Sequence, residues 1–431
     1  MTPHRRKLAE PNRVVVTGMG ALTNLARNAP ETWSAMREGR SGISPIEGED
    51  FARFDDKWLV RIGGQIKGWD PTSVLEHRES KRIDRCTQLA LAAAIEAAKD
   101  SGLDFASGEF ERRGVVIGSG IGGITTIEEQ HQVMMERGPD RMSPFTVPRL
   151  MANAAAGNIS IKFNLRGPAS THATACASSG HAFGDAINYL RWGHADVMMC
   201  GGAEAAVSPL CLGAFMVMKA LSQRNDAPTK ASRPFDRMRD GFVLAEGAAM
   251  FVLETEAHAK ARGARIYAEL VGAANSSDAA HITAPDPEGS GAARSMLWAL
   301  EDSGLNPTDI EYVNAHGTST PLGDKAEVAA ALRVFGDHAR KSAGGRLMMS
   351  STKSMHGHGL GASGAIELIA CIGAVSQGVV PPTINLEEPD EGFDIDLVPN
   401  EARERPVKYA MNNTFGFGGH NVTLIVGRYA G

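Results

Sequence analysis

The chain has 431 residues, a formal net charge of −6, 43% hydrophobic and 22% charged residues, an ordinary globular balance with ample material for a large core. It has no long basic block, which argues against nucleic acid as the main partner, and no apolar run approaches the ~18 residues of a membrane span. Five cysteines, at 86, 176, 200, 211 and 371, are odd in number and form no C-x-x-C pair, so neither a disulfide framework nor a zinc knuckle is indicated and a reducing cytoplasm fits.

In chain order, the polar and basic stretch Met1–Asn12 reads as a short disordered leader rather than a secretory signal, because no apolar segment precedes Val14. Val14–Thr17 is a β-branched run ending in Gly18-Met19-Gly20, a strand and a turn. The alanine-rich segment Gln88–Lys99 predicts a helix stopped at Gly102. Gly114–Ile117 predicts a strand feeding the glycine run 118–123. Thr171–Ala175 leads into Cys176. Ser178–Trp192 then has helical spacing, with Ala182, Phe183, Ile187 and Leu190 on one face. Ala195–Cys200 and Ala248–Leu253 are strands. Past Glu254 the pattern restarts with a strand at Ala268–Gly272, a helix at Ala292–Ser303, a short strand at Tyr312–Ala315 and a helix at Lys325–Phe335. An apolar helix at Gly364–Val375 follows, then strands at Lys408–Asn413 and Asn421–Val426. Strands alternating with helices imply an α/β fold whose helices cover sheet faces. Two halves, 12–260 and 261–431, meet near residue 260, with no repeat that aligns by eye.

The 48 glycines cluster at 118–123, 201–202, 357–364 and 416–419, flanked by strand- or helix-like segments. Such clusters permit a positive φ or close approach of backbone to a ligand. Cys176 stands where a strand turns into a helix, among small residues. Free N–H groups and the positive end of the dipole there favour thiolate, though a structural cysteine is the plainer reading of any one thiol. Cys86, Cys200, Cys211 and Cys371 fall in helix or strand interiors and read as structural. His316 follows a short strand beside glycine and hydroxyls in Asn314-Ala315-His316-Gly317-Thr318-Ser319-Thr320, a place suited either to a ligand hydrogen bond or to a structural histidine. The segment 350–361 holds Lys353, His356 and His358. Its His-x-His could pair on a metal, but no Asp, Glu or Cys accompanies it, so no metal is expected. Glu367 could pair with Lys353. The Phe415-Gly416-Phe417-Gly418-Gly419 stretch could aim backbone N–H groups into a pocket, or be a plain hairpin. Gly118–Gly123 matches G-x-G-x-x-G with Glu136 beyond it, but so late in the chain it is a poor dinucleotide site, and Gly18-Met19-Gly20 lacks a third glycine.

Taken together, Thr174-Ala175-Cys176, Arg233-Pro234-Phe235-Asp236 with Arg239-Asp240-Gly241-Phe242, the His316 motif, Lys353-Ser354-Met355 with Gly357-His358, and the Phe415–Gly419 loop resemble the β-ketoacyl-[acyl-carrier-protein] synthases, most closely the elongating synthase II type. The resemblance spans roughly residues 12 to 428. It implies the thiolase-like α/β fold, two similar halves in a five-layered αβαβα arrangement, and a homodimer. It implies that Cys176 takes an acyl chain from a carrier thioester, that His316 and His358 stabilise the enolate left when a malonyl thioester loses CO2, and that the carbanion attacks the acyl group. Lys353 with Glu367 would support the pair. Phe417 would gate the site, its N–H joining that of Cys176 in an oxyanion hole. Thr318 and Thr320 would hold the phosphopantetheine arm, which arrives on acyl carrier protein, so no separate cofactor is needed. Ile121, Phe215 and Thr146 would line the acyl pocket, Thr146 replacing the family's usual aromatic across the dimer. Arg78, Lys81, Arg82 and Lys219 would dock the acidic carrier. The chain departs from the family pattern at His356, at His420 and in the turn Leu22–Ala26. Two alternatives remain, a polyketide-type ketosynthase and a non-catalytic acyl-binding subunit. Idle subunits usually lack the cysteine, and a thiolase would need a second cysteine within 411–421, where none stands.

Overall fold

Ten strands form the main sheet of the computed structural model, which describes residues 10–53 and 55–431; the expected leader lies, as far as residue 9, outside the described residues. They are β1 (Val14–Thr23), β2 (Arg113–Gly118), β3 (Ala169–His172), β4 (Val197–Glu204), β5 (Gly247–Thr255), β6 (Ala268–Ser277), β7 (Tyr312–Asn314), β8 (Met348–Ser350), β9 (Tyr409–Gly416) and β10 (His420–Gly427). Their order is β8-β7-β9-β10-β6-β1-β5-β4-β2-β3. The halves follow one plan. In the first, β1 runs antiparallel to β5, β5 antiparallel to β4, and β4 and β3 lie parallel to β2. In the second, β6, β10, β9, β7 and β8 repeat those relations. The seam is narrow: β1 meets β6 only at Val15–Glu269 and Val16–Ala268.

Seven helices matter here: α1 (Arg85–Ser101), α2 (Ala154–Phe163), α3 (Ser178–Arg191), α4 (Pro209–Val217), α5 (Ser290–Ser303), α6 (Pro321–Phe335) and α7 (Ser363–Gln377). Strand side chains alternate between faces, and both faces are covered. Val115, Ile117 and Met199 pack outward with Leu89, Ala93 and Ala97 of α1. Val116 and Met198 point inward, into a core with Phe183 and Ile187 of α3 and Ile366 and Ile369 of α7. In the second half Val313, Met349 and Met411 face Met296 of α5 and Val328 of α6. The result is the expected five layers, with α3 and α7 in the middle.

Local sequence explains the elements. Asp84 caps α1 by accepting from the Cys86 N–H, and Gly102, at φ +62°, ends it. Gly18-Met19-Gly20 is not a turn, because β1 runs on to Thr23. Its glycines let α1 lie directly on the strand: a Cβ at Gly20 would sit 2.1 Å from the Ala93 carbonyl oxygen. Joined to the turn before it, α7 gives an 18-residue stretch, Leu360–Gln377, with mean hydropathy 1.4, longer than the apolar run read from the sequence. It is 89% buried in protein, and a helix enclosed on all sides is apolar all round for that reason.

Candidate active site

Parallel strands β2 and β3 end together at Gly118 and His172. Beyond β3 the chain makes a single 3₁₀ turn, Ala175–Ala177, and enters α3. Ala175 opens that turn at φ +50°, a left-handed strain of roughly 1–3 kcal/mol. The Ser178 hydroxyl holds the turn, accepting from the Thr174 N–H at 2.9 Å and donating to the Ala175 carbonyl at 2.6 Å. Cys176 is 8% exposed and lines a cavity of ≈ 560 Å³. The backbone N–H groups of Phe417 and of Cys176 itself both bear on the sulfur. Gly416 makes this approach possible, because a Cβ there would stand 3.1 Å from the Cys176 nitrogen.

The second half supplies the imidazoles. His316 lies two residues past β7. Its N–H and that of Gly317 each donate to the Glu327 carboxylate of α6 at 2.8 Å, and Asn413 adds a bond of 3.2 Å. Lys353 begins a one-turn helix, Lys353–His356. Its Nζ is 3.5 Å from His316 Nδ1 and forms a buried ion pair with Glu367 of α7. An ammonium can only donate, so Nδ1 accepts and the His316 proton sits on Nε2. Gly357, at φ +73°, turns the chain so that His358 Nε2 comes 3.0 Å from Cys176 Sγ, with Nδ1 3.0 Å from Ser363 Oγ. The two rings stand 5.3 Å apart, edge to face at 84°. His356 points elsewhere: it is buried, bonds Thr352 Oγ1 at 3.1 Å and is absent from the cavity wall.

Burial and the Lys353 ammonium hold His316 and His358 well below the usual histidine range, so both rings are neutral at pH 7. Burial pushes the Cys176 thiol up to about 12, against the pull of Lys353 and with the added push of Glu204. The helix end therefore does not leave a resting thiolate, as the sequence suggested; desolvation outweighs it. The geometry pairs a neutral thiol with a neutral imidazole that can take its proton during attack. The Cys176, His316 and His358 donor atoms lie within 4.8 Å of one another, a set that a zinc-like ion could also occupy.

Of the residues singled out in sequence, Ile121, Phe215, Lys219, Thr318, Thr320 and Phe417 line the same cavity. The Thr318 and Thr320 hydroxyls are 2.9 Å apart. Phe417 is 36% exposed and faces the Phe215 ring at 6.5 Å. Lys353 and Glu367 stand behind the wall, fully buried. Thr146 lies outside this chain's cavity, its hydroxyl donating to the Ser143 carbonyl at 2.6 Å. Arg78, Lys81 and Arg82 are exposed and also outside it, with Arg82 over the Phe145 ring at 4.9 Å.

Three supporting carboxylates escaped the sequence reading. Glu327 anchors the His316 loop, and burial raises it to about 7. Asp324 accepts from the Phe235 and Ser319 N–H groups at 2.8 and 3.1 Å and lies 3.5 Å from Arg239. That gives the two arginine motifs their place as a buttress of the same loop. Glu204 accepts from Gly120 and Ile121, so the G-x-G-x-x-G turn is already filled by the protein's own carboxylate where a nucleotide phosphate would sit. An acid closing the strand at Gly201-Gly202-Ala203-Glu204 was the visible signal.

The family models "Beta-ketoacyl synthase, N-terminal domain" and "Beta-ketoacyl synthase, C-terminal domain" match residues 11–259 and 267–387. The chain is 47% identical over 421 residues to 3-oxoacyl-[acyl-carrier-protein] synthase 2 of Synechocystis sp., covering 97% of this chain and 99% of that one. It is 44% identical over 423 residues to the Staphylococcus aureus (strain COL) protein of the same name, covering 98% and 100%. A solved β-ketoacyl synthase from Burkholderia phymatum matches with a TM-score of 0.89 at 37% identity, covering 97% and 100%. A type II polyketide ketosynthase solved with its acyl carrier protein matches with a TM-score of 0.89 at 34% identity, over the same shares. The chain belongs to the β-ketoacyl synthase family.

Proposed function

We propose that this protein is an elongating acyltransferase, a 3-oxoacyl-[acyl-carrier-protein] synthase of the second type. It loads an acyl chain onto Cys176 and condenses it with malonyl-[acyl-carrier protein], giving 3-oxoacyl-[acyl-carrier protein], CO2 and free carrier. The observation that carries this reading is the 3.0 Å contact of His358 Nε2 with the Cys176 sulfur, beside His316, in one cavity. His358 takes the thiol proton as the sulfur attacks the incoming thioester. The Cys176 and Phe417 N–H groups stabilise the oxyanion, and the carrier thiol leaves with a proton. His358 then shifts to the tautomer protonated at Nε2, with Nδ1 accepting from the Ser363 hydroxyl, and malonyl thioester enters with its carbonyl oxygen between the Nε2–H groups of His316 and His358. Loss of CO2 leaves an enolate held by those two donors. Its carbon attacks the acyl–cysteine, the carbon–sulfur bond breaks, and the departing Cys176 thiolate takes up a proton from solvent. The half 12–260 thus supplies the nucleophile, and the half 261–431 supplies its base and the two enolate donors.

The test is CO2 release from malonyl carrier protein by wild type and Cys176→Ala, with acyl carriers of graded length. Turnover that survives a chelator separates thiol chemistry from a metal reading of the same three donors; loss of turnover restored by zinc would overturn this mechanism. Identity of 47% to fatty-acid-type synthases against 34% to the polyketide ketosynthase favours primary chain elongation.

A homodimer belongs to this reading. Among the described residues β3 ends the sheet with one edge unpaired and the buried Ser170 and Thr171 hydroxyls have no partner, while Met135, Val147 and Ile161 stand 70%, 62% and 81% exposed. A second copy would satisfy that edge and bring Thr146 toward the partner's pocket. Carrier docking at Arg78, Lys81, Arg82 and Lys219 is supported by their exposure, and a cytoplasmic setting by five unpaired cysteines.

A further inference from the structure

We infer that Glu204 is a positioning residue shared by both halves, fixing the pocket wall against the His358 turn and setting the charge that faces Cys176. The inference rests on the synthase reading above for its functional meaning. Glu204 is fully buried at the end of β4, and among the described residues no cation pairs with it. Its partners are a hydroxyl and three backbone N–H groups. Oε2 accepts from Gly120 at 2.6 Å and from Gly361 at 3.0 Å. Oε1 accepts from the Ser119 hydroxyl at 3.1 Å and from Ile121 at 3.2 Å. Ile121 lines the cavity, and Gly361 lies three residues past His358. One carboxylate therefore ties the acyl-pocket wall of the first half to the histidine-bearing turn of the second.

The packing leaves no room for another arrangement. A Cβ on Gly120 would lie 2.9 Å from Glu204 Oε2, and one on Gly361 would lie 2.4 Å from the Gly120 nitrogen. Burial raises the Glu204 carboxyl and its four donors oppose that rise; the turn it binds abuts the nucleophile's own turn, since a Cβ on Gly120 would lie 3.4 Å from the Ala175 carbonyl oxygen, and from there the anion pushes the Cys176 thiol up. Lys353 acts on the sulfur with the opposite sign, His316 and His358 face it as neutral rings, and the Cys86 and Cys211 thiols are titratable neighbours of Glu204. The clamp therefore has a geometric and an electrostatic effect, which two substitutions separate.

Glu204→Gln removes the charge and turns an amide toward N–H donors. Glu204→Asp keeps the charge and shortens the reach. Cys176 alkylation by iodoacetamide, followed across pH by peptide mass, reads the charge without any enzymatic turnover. Glu204→Gln should move the alkylation profile to lower pH and raise the rate at pH 8 by about 3- to 10-fold, while Glu204→Asp should keep the wild-type profile. Acyl loading from an acyl carrier should fall by roughly 10²-fold in both, since small misplacements at reacting atoms cost that much. A purely structural glutamate would lower loading without moving the profile. A Glu204→Gln profile superimposed on wild type, or Glu204→Asp loading at the wild-type rate, would overturn the inference. If Glu204→Gln does not fold by circular dichroism, Glu204→Asp decides through its loading rate. A wild-type protein that releases no CO2 while Glu204→Gln still shows the alkylation shift would sink the synthase reading alone.

Discussion

The two halves build the same device and use it differently. Ala175–Ala177 leads into α3, and Leu360–Ala362 leads into α7. Each turn opens on a non-glycine residue in the left-handed region, Ala175 at φ +50° and Leu360 at φ +45°. Each feeds a helix of the central layer. The second position of the turn is Cys176 in one half and Gly361 in the other. At Gly361 a side chain would strike Gly120, whereas at Cys176 the equivalent bond points into the cavity. The second half therefore brings a side chain to the cavity earlier, at His358, on a longer loop stiffened by the Lys353–His356 turn. The repeated plan thus supplies two converging turns, and local packing decides which of them has room for a side chain toward the cavity.

This division of labour can be broken by mutation. Cys176→Ala should eliminate acyl loading and condensation together. His316→Ala and His358→Ala should each cut CO2 release by about 10²–10³-fold or more, as two enolate donors imply, while acyl–Cys176 remains detectable by mass. Loading should be slower in His358→Ala, which lacks the base at 3.0 Å from the sulfur, and near wild type in His316→Ala; loss of acylation in His316→Ala would show that both imidazoles serve the first half's step. Next in size, Lys353→Ala strands the Glu367 carboxylate between buried layers and should cost ~3–5 kcal/mol in a denaturant melt; an unchanged midpoint would mean the ion pair is dispensable to folding. A smaller effect concerns pH. Glu327 has an ordinary value of 4.5 and is raised to about 7 in the fold, so the folded state holds an extra proton between those limits. Its stabilising contribution is complete below about 4.5 and is lost as pH climbs through about 7. Asp324, raised to about 6 from 3.8, acts in the same sense. Melting temperature for Glu327→Gln should therefore vary less than wild type across that window. The smallest effect belongs to His356→Ala, which should leave turnover near wild type; a dead His356→Ala beside an active His358→Ala would reverse the assignment of the second half.

The strands and helices were legible where burial is simplest. Val14–Thr17, Gly114–Ile117 and Ser178–Trp192 announce themselves because each has a continuous apolar run or a 3.6-residue stripe. Gly18-Met19-Gly20 was misread because glycine serves turns and close helix contacts alike, and only α1 reveals which. The internal repeat stayed hidden because it lies in strand order and turn shape rather than in side chains. Cys176, His316 and Lys353 stood out through their settings, but the choice of His358 over His356 depended on spacing, and the structure supplies the cause in the turn at Gly357. Glu204, Glu327 and Asp324 were missed for a common reason. Each is an isolated acid in sequence, and its backbone partners come from residues 5 to 157 positions away.

The enclosure of α7 bears on how the molecule is made. Its partner in the middle layer, α3, is translated long before it, and neither apolar surface has a lasting cover until the other arrives. A growing chain therefore carries first one and then two oily helices in contact with water, with many distant residues still to be brought together. Completion of the sandwich is a late event in the life of the polypeptide, and the interval before it is when aggregation, or capture by a chaperone, competes with success.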